Sequence, residues 1–259
     1  MRNKIAATAA AAVADIPDGS RIAVGGFGIC GTPFELIRAL LAAGTSQLHI
    51  VANNCGLENL GLGQLLQADR IRKVTCSYVG SNPDFARRIL RGEIEIDPTP
   101  QGTLAERLRA AGSGLPAFYT PTGAGTNVAT GGIPTLYRPD GSIAQVSSSK
   151  ETRTFGGVEC VLETALHCDY ALVRAHRGDS AGNLVFRRTA QNFNPVCAMA
   201  ATVAIAEVEH LVDVGTLDPD GIHLPGIFVD RIVQVVDHSK PIERVTVRTD
   251  GGPQNALHP

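Results

Sequence analysis

Short apolar runs alternate with longer segments of helical period along the first half of the chain. Residues 22–24 (Ile-Ala-Val) form an apolar run that suits a buried strand. Further strands are predicted at 48–52, 74–78, 93–96 and 117–119, with 93–96 alternating in polarity. Helices are predicted between them, at 34–43, 60–68, 83–90 and 103–111. Gly44 stands where a C′ residue belongs, and Ser81 or Asn82 where a cap belongs. An apolar stripe of Ile5, Ala9, Ala12, Val13 and Ile16 predicts an amphipathic first helix. Strands alternating with helices at this spacing predict an α/β fold: a mainly parallel sheet with helices on both faces.

The pattern changes after residue 119. Between 120 and 149 Gly and Pro interrupt every run, which predicts a loop excursion with a small hairpin around Asp140-Gly141. From Thr152 onwards the β signal returns, with a turn at Gly156-Gly157 and strands at 160–162, 170–174, 184–186, 203–208, 211–214 and 227–235, and a smaller β-rich region is expected beside the main sheet. Asn194-Pro195 is read as the cap and start of a helix reaching about residue 201. No linker or repeat appears, so residues 1–245 are read as a single domain and 246–259 as a polar tail.

Composition narrows the function classes. At 259 residues the chain can bury a large core, and 44% hydrophobic with 19% charged content is globular. A net charge of −2 offers no basic surface for nucleic acid or acidic membranes, and the absence of Trp weakens a base-stacking role. No run approaches the roughly 20 apolar residues of a membrane span. The six cysteines form no C-x-x-C pair and sit mostly in apolar runs, which reads as reduced core thiols and a cytoplasmic protein. The seven histidines show no zinc-binding spacing, so no metal is expected.

The chemistry gathers around residues 18–33. After the 22–24 strand, Gly25, Gly26, Phe27, Gly28 and Gly31 form a glycine-rich turn that lets backbone approach a ligand closely. Thr32, Pro33 and Glu35 read as a capping box at the start of the next helix, whose N-terminus would favour an anion or oxyanion. Gly26, Gly28 and Gly31 also satisfy G-x-G-x-x-G, but the next strand ends in Asn53-Asn54 instead of the ribose-binding carboxylate, so a dinucleotide ranks last. Parallel sheets bind ligands at the carboxyl ends of their strands, where Asn53, Asn54, Ser77, Tyr78 and Gln101 join the glycine turn. None of these turns carries Lys or Arg.

Asp18-Gly19 through Gly25-Gly26-Phe27 to Gly31 and Pro33 resembles the signature of the A (α) subunit of family I CoA-transferases. The resemblance extends through Asn53-Asn54-Cys55-Gly56, Gly61-Leu62-Gly63, the TPQGTLAER run at 99–107 and the segment 117–123. It continues in Lys150-Glu151-Thr152-Arg153, Gly178-Asp179, Gly182-Asn183 and Asn192-Phe193-Asn194, and spans about residues 4 to 245. Ser77-Tyr78-Val79-Gly80 resembles the succinyl-CoA:3-oxoacid branch, with a 3-oxoadipate transferase as the alternative. A non-catalytic ligand-binding module on the same fold is a further alternative.

The resemblance implies a ping-pong transfer of CoA between carboxylic acids through an enzyme glutamyl-CoA thioester, with no cofactor beyond the CoA thioester substrate. It implies that Gln101 lies beside the reacting thioester and that Asn53 and Asn54 shape the acyl pocket. Neutral amide and backbone donors suit the tetrahedral oxyanion of such a reaction. The nucleophilic glutamate of the family lies in a Ser-Glu-Asn-Gly segment of a B subunit, and this chain has no such segment. An A/B hetero-oligomer with a separate B subunit is therefore expected, with no catalytic glutamate in this chain. Glu207 and Glu209, flanking Val208, read as positions on a half-exposed strand.

Overall fold

The computed structural model describes residues 4–237, 239 and 241, and the backbone of strands at 245–249 and 252–256. A short helix α1 (Ala9–Val13) precedes four βα units. These are β1 (Arg21–Val24) and α2 (Phe34–Ala43), then β2 (Leu48–Val51) and α3 (Leu62–Gln67). β3 (Ile71–Cys76) and α4 (Pro83–Leu90), then β4 (Glu95–Pro98) and α5 (Gln101–Gly112), complete them. The excursion follows as β5 (Ala117–Thr120), α6 (Asn127–Thr130), the hairpin β6 (Pro134–Tyr137)–β7 (Ile143–Val146) and the hairpin β8 (Thr152–Phe155)–β9 (Val158–Thr164).

The chain then returns to the main sheet with β10 (Cys168–Asp179), β11 (Leu184–Val185), α7 (Asn194–Met199), β12 (Ala201–Val212) and β13 (Arg231–Gln234). β14 (Val245–Thr249) and β15 (Gly252–Ala256) pair antiparallel in the stretch read as a polar tail. The main sheet runs β13-β12-β10-β1-β2-β3-β4, with β11 beside β10. Every pair on that path is parallel, and β11 alone is antiparallel to its neighbour. β5, β9 and β8 form a separate three-stranded antiparallel sheet.

Side-chain alternation divides each apolar strand between two cores. Ile22, Val24, Leu48 and Ile50 pack with Val13, Leu36, Ile37, Leu40, Leu65 and Phe85, which places α1 to α4 on one face. Ala23, Val51, Ala171 and Val173 pack with Leu104, Leu108, Cys197 and Ala198, which places α5 and α7 on the other. Each fully buried Leu, Ile or Phe contributes roughly 1.5–3 kcal/mol. Five of the six cysteines are buried, and burial pushes the Cys76 thiol up to about 12, as expected of core thiols.

The first helix is shorter than its stripe predicts. Thr8 Oγ1 accepts from Ala11 N and starts the helix late, while Ile5 forms a parallel bridge with Ile232 and ties the N-terminal segment to the sheet edge. The break expected between 208 and 211 is absent. β12 runs unbroken because the charges within it meet partners on β10: Arg174 Nη1 is 2.9 Å from Glu207 Oε1, and His176 Nδ1 is 2.8 Å from Glu209 Oε2. Glu207 and Glu209 are both buried, so the half-exposed reading fails.

A polar chain crosses the first four strands. Arg21 Nε donates to His49 Nδ1 at 3.1 Å. His49 therefore carries its hydrogen on Nε2, which donates to Thr75 Oγ1 at 2.9 Å, and the Thr75 hydroxyl donates to Asp97 Oδ2 at 3.2 Å. Burial, with the charges of Arg21 and Lys73, pushes His49 down to about 3 and keeps it neutral.

Candidate active site at the carboxyl edge of the sheet

Strand order reverses between β1 and β10, with β2 to β4 laid down on one side and β12 and β13 on the other. Such a switch point opens a crevice at the carboxyl ends of the strands. The loops after β1, β2, β3 and β4 converge there on a cleft of about 480 Å³. Phe27, Gly28, Asn53, Asn54, Ser77, Tyr78, Ser81 and Gln101 line it. Five of the seven residues singled out in the sequence thus meet in one cleft, while Gly25 and Gly26 line a separate small cavity that shares Gly28 and Asn54 with it.

Asn53 is the centre of the arrangement. Its Oδ1 accepts from Gln101 Nε2 at 3.2 Å and from Ser77 Oγ at 2.9 Å, so one amide oxygen joins the ends of β2, β3 and β4. Asn53 Nδ2 donates to Asn54 Oδ1 at 3.3 Å. Asn54 Nδ2 is buried with no hydrogen-bond partner among the described residues. Gln101 is the first residue of α5 and not part of a preceding loop, so the helix fixes its backbone. No residue lining the cleft carries a charge at neutral pH, and no described glutamate lies on it.

The glycine loop is shaped by partners remote in sequence. Phe27 and Cys30 exchange backbone hydrogen bonds, N to O at 3.0 Å in each direction, closing a tight turn that holds the Phe27 side chain at the rim. A Cβ on Gly25 would lie 1.9 Å from Asn194 Oδ1. Gly28 has φ +61 and faces open space, so backbone conformation is what selects glycine there.

Asn194 is not the helix cap its sequence suggests, since Phe193 occupies that position. The Asn194 side chain is buried, accepts from Arg174 N at 2.9 Å and donates to Gly31 O at 3.0 Å and Ala190 O at 2.9 Å. It is a strut between β10 and the loop. The capping box fails as well. Pro33 is the N-cap of α2 and Glu35 pairs with Arg38. The Leu36 N–H instead donates to Glu207 Oε2 at 3.0 Å, so the protein supplies its own carboxyl oxygen at this helix terminus. Burial pushes Glu207 up to about 7 against the opposing pull of Arg174 and the Leu36 N–H. Sequence reasoning misses this carboxylate because its partner N–H lies 171 residues away.

Residues 6–235 match the Coenzyme A transferase family. Over 246 residues the chain is 57% identical to a Mycobacterium tuberculosis protein named as the A subunit of a probable succinyl-CoA:3-ketoacid coenzyme A transferase, covering 95% of this chain and 99% of that one. It is 49% identical to the human mitochondrial succinyl-CoA:3-ketoacid coenzyme A transferase 2, covering 95% of this chain and 48% of the human one. Among solved structures, an acyl-CoA transferase from E. coli O157:H7 in a thioester complex with CoA superimposes with a TM-score of 0.76 at 25% identity, over 92% of this chain and 48% of that chain. This chain therefore spans about half the length of that transferase and of the human relative. It belongs to the Coenzyme A transferase family.

Proposed function

We propose that this chain is the A subunit of a succinyl-CoA:3-oxoacid CoA-transferase, and that a separate B subunit completes its active site. The observation that carries this reading is a cleft of neutral hydrogen-bonding groups with no described glutamate on it. The names of relatives supply the substrate pair, and the human enzyme, twice as long, leaves room for a second half within one chain.

The chemistry follows from what the cleft offers. The B subunit's glutamate attacks the carbonyl carbon of succinyl-CoA, and the C–S bond breaks to give an acyl-glutamyl anhydride and CoA thiolate. The thiolate attacks the glutamyl carbonyl, releasing succinate and leaving glutamyl-CoA. The 3-oxo acid then accepts CoA by the same two steps in reverse. Each attack places a negative charge on a carbonyl oxygen. Gln101 Nε2, held by Asn53, and Asn54 Nδ2 are fixed donors for that charge. A cation in their place would pair with the incoming glutamate and lower its nucleophilicity.

The test is CoA transfer from succinyl-CoA to acetoacetate, measured with this chain alone and with the B subunit co-expressed. Activity is expected only in the pair, and Gln101→Ala is expected to lower kcat about 100-fold. Full activity in the isolated chain would overturn the composite site.

A further inference from the structure

Three chemistry-bearing side chains outside the substrate cleft meet behind the glycine loop, where β10 and β12 run side by side past the switch point. His176 Nδ1 and Glu209 Oε2 are 2.8 Å apart, and the rings of His176 and His210 meet edge to face with centroids 5.1 Å apart. One ligating atom from each of the three lies within 4.8 Å of the other two. Burial is graded across the group, with Glu209 buried, His176 intermediate and His210 exposed. A cavity of about 340 Å³ opens beside His176 and Glu209, and Cys30, Thr32, Thr189 and the arginines Arg174, Arg187 and Arg188 also line it.

We propose that His176, Glu209 and His210 bind a divalent transition-metal ion, Zn²⁺ in the first instance, with its fourth coordination position open to this cavity. Two imidazoles and one carboxylate are a donor set that Zn²⁺ takes at about 2.0–2.2 Å. Closing the ligands around an ion asks for movements of about 1 Å, and two of the three side chains are not fully buried. Arg174 makes its short contact with Glu207, at 2.9 Å, and lies 3.5 Å from Glu209 Oε1. Glu209 Oε2 is the oxygen turned toward the imidazole. The ligands lie 33 residues apart and on two strands, so no spacing motif announces them. None of the three lines the substrate cleft. An ion there cross-links the carboxyl ends of β10 and β12, a structural effect distinct from the transfer chemistry.

The test titrates the full chain with ZnSO4 in a non-chelating buffer by calorimetry and repeats the binding with Co²⁺ to read its spectrum. One ion per chain with micromolar or tighter affinity is expected, together with a higher Tm in Zn²⁺. Binding is expected to weaken at least about tenfold in His176→Ala and in His210→Ala. The Co²⁺ complex should show d–d bands without a thiolate charge-transfer band. His210 is exposed, so His210→Ala should keep the metal-free Tm, which separates loss of a ligand from loss of fold. No stoichiometric binding, binding that survives both histidine variants, or a thiolate band lost on cysteine blocking would each overturn the site.

Discussion

A single amide, that of Asn194, explains both an obligatory glycine and the shape of the loop above it. Gly25→Ala must push Asn194 off its three backbone partners and is expected to cost about 2–3 kcal/mol in urea unfolding. Asn194→Ala removes the obstacle as well as the strut, so the double variant should lose less than the sum of the two single losses. A strictly additive cycle would show that the two positions do not share this contact. The cleft residues are legible in the sequence because each follows a strand: Asn53 and Asn54 after β2, Ser77 and Tyr78 after β3, Gln101 after β4. Asn194 is misread because Asn before Pro is a local capping signal, whereas its bonds to Gly31 and Arg174 are tertiary.

Among the elements, the βα units are legible from polarity alone, since each strand splits its side chains between two cores. The helix termini show where local reading succeeds and where it stops. Asn82 caps α4 as expected, its Oδ1 accepting from Phe85 N at 3.2 Å, and its Nδ2 also donates to Cys55 O at 3.2 Å. That second bond ties α4 to the loop that carries Asn53 and Asn54. Asn82→Ala should therefore cost about 2 kcal/mol, and Asn82→Ser, which keeps only the cap, an intermediate amount. Equal losses in the two variants would assign the whole effect to the bond with Cys55. At α2 the local reading of Thr32 and Glu35 fails because the acceptor comes from β12, on a strand added far later in the chain.

At the scale of the whole molecule, two buried groups shape the dependence of stability on pH, with opposite signs. His49 is held near 3 against an ordinary value of 6.5, so the unfolded chain takes up a proton that the folded chain refuses, and stability falls as pH drops from about 6.5 toward 3. Glu207 is raised from 4.5 to about 7, so the folded chain holds a proton that the unfolded chain releases, and stability rises as pH drops from about 7 to 4.5. Each slope approaches about 1.4 kcal/mol per pH unit between the two values of its group. The two oppose each other between pH 6.5 and 4.5, and below that the His49 loss is joined by that of carboxylates held low by arginines, among them Asp15, Asp84 and Glu106. Urea midpoints across this range are expected to show the acid loss starting already near pH 6.5 in Glu207→Gln and much reduced in His49→Asn. Parallel curves for wild type and both variants would rule out these two groups.

The sheet order also fixes when the site can come into being during synthesis. β1 lies between β2 and β10, so the first strand made waits for residues near 170 before its second edge is covered. The loop it carries waits longer still, for the Asn194 amide 163 residues beyond Gly31. Contacts this distant along the chain form late and slow folding, and until they form an open strand edge is available for wrong pairing. A nascent chain that ends before residue 194 can hold Asn53, Ser77 and Gln101 in place and still lack a formed glycine loop, so the cleft is finished only as the last third of the polypeptide emerges.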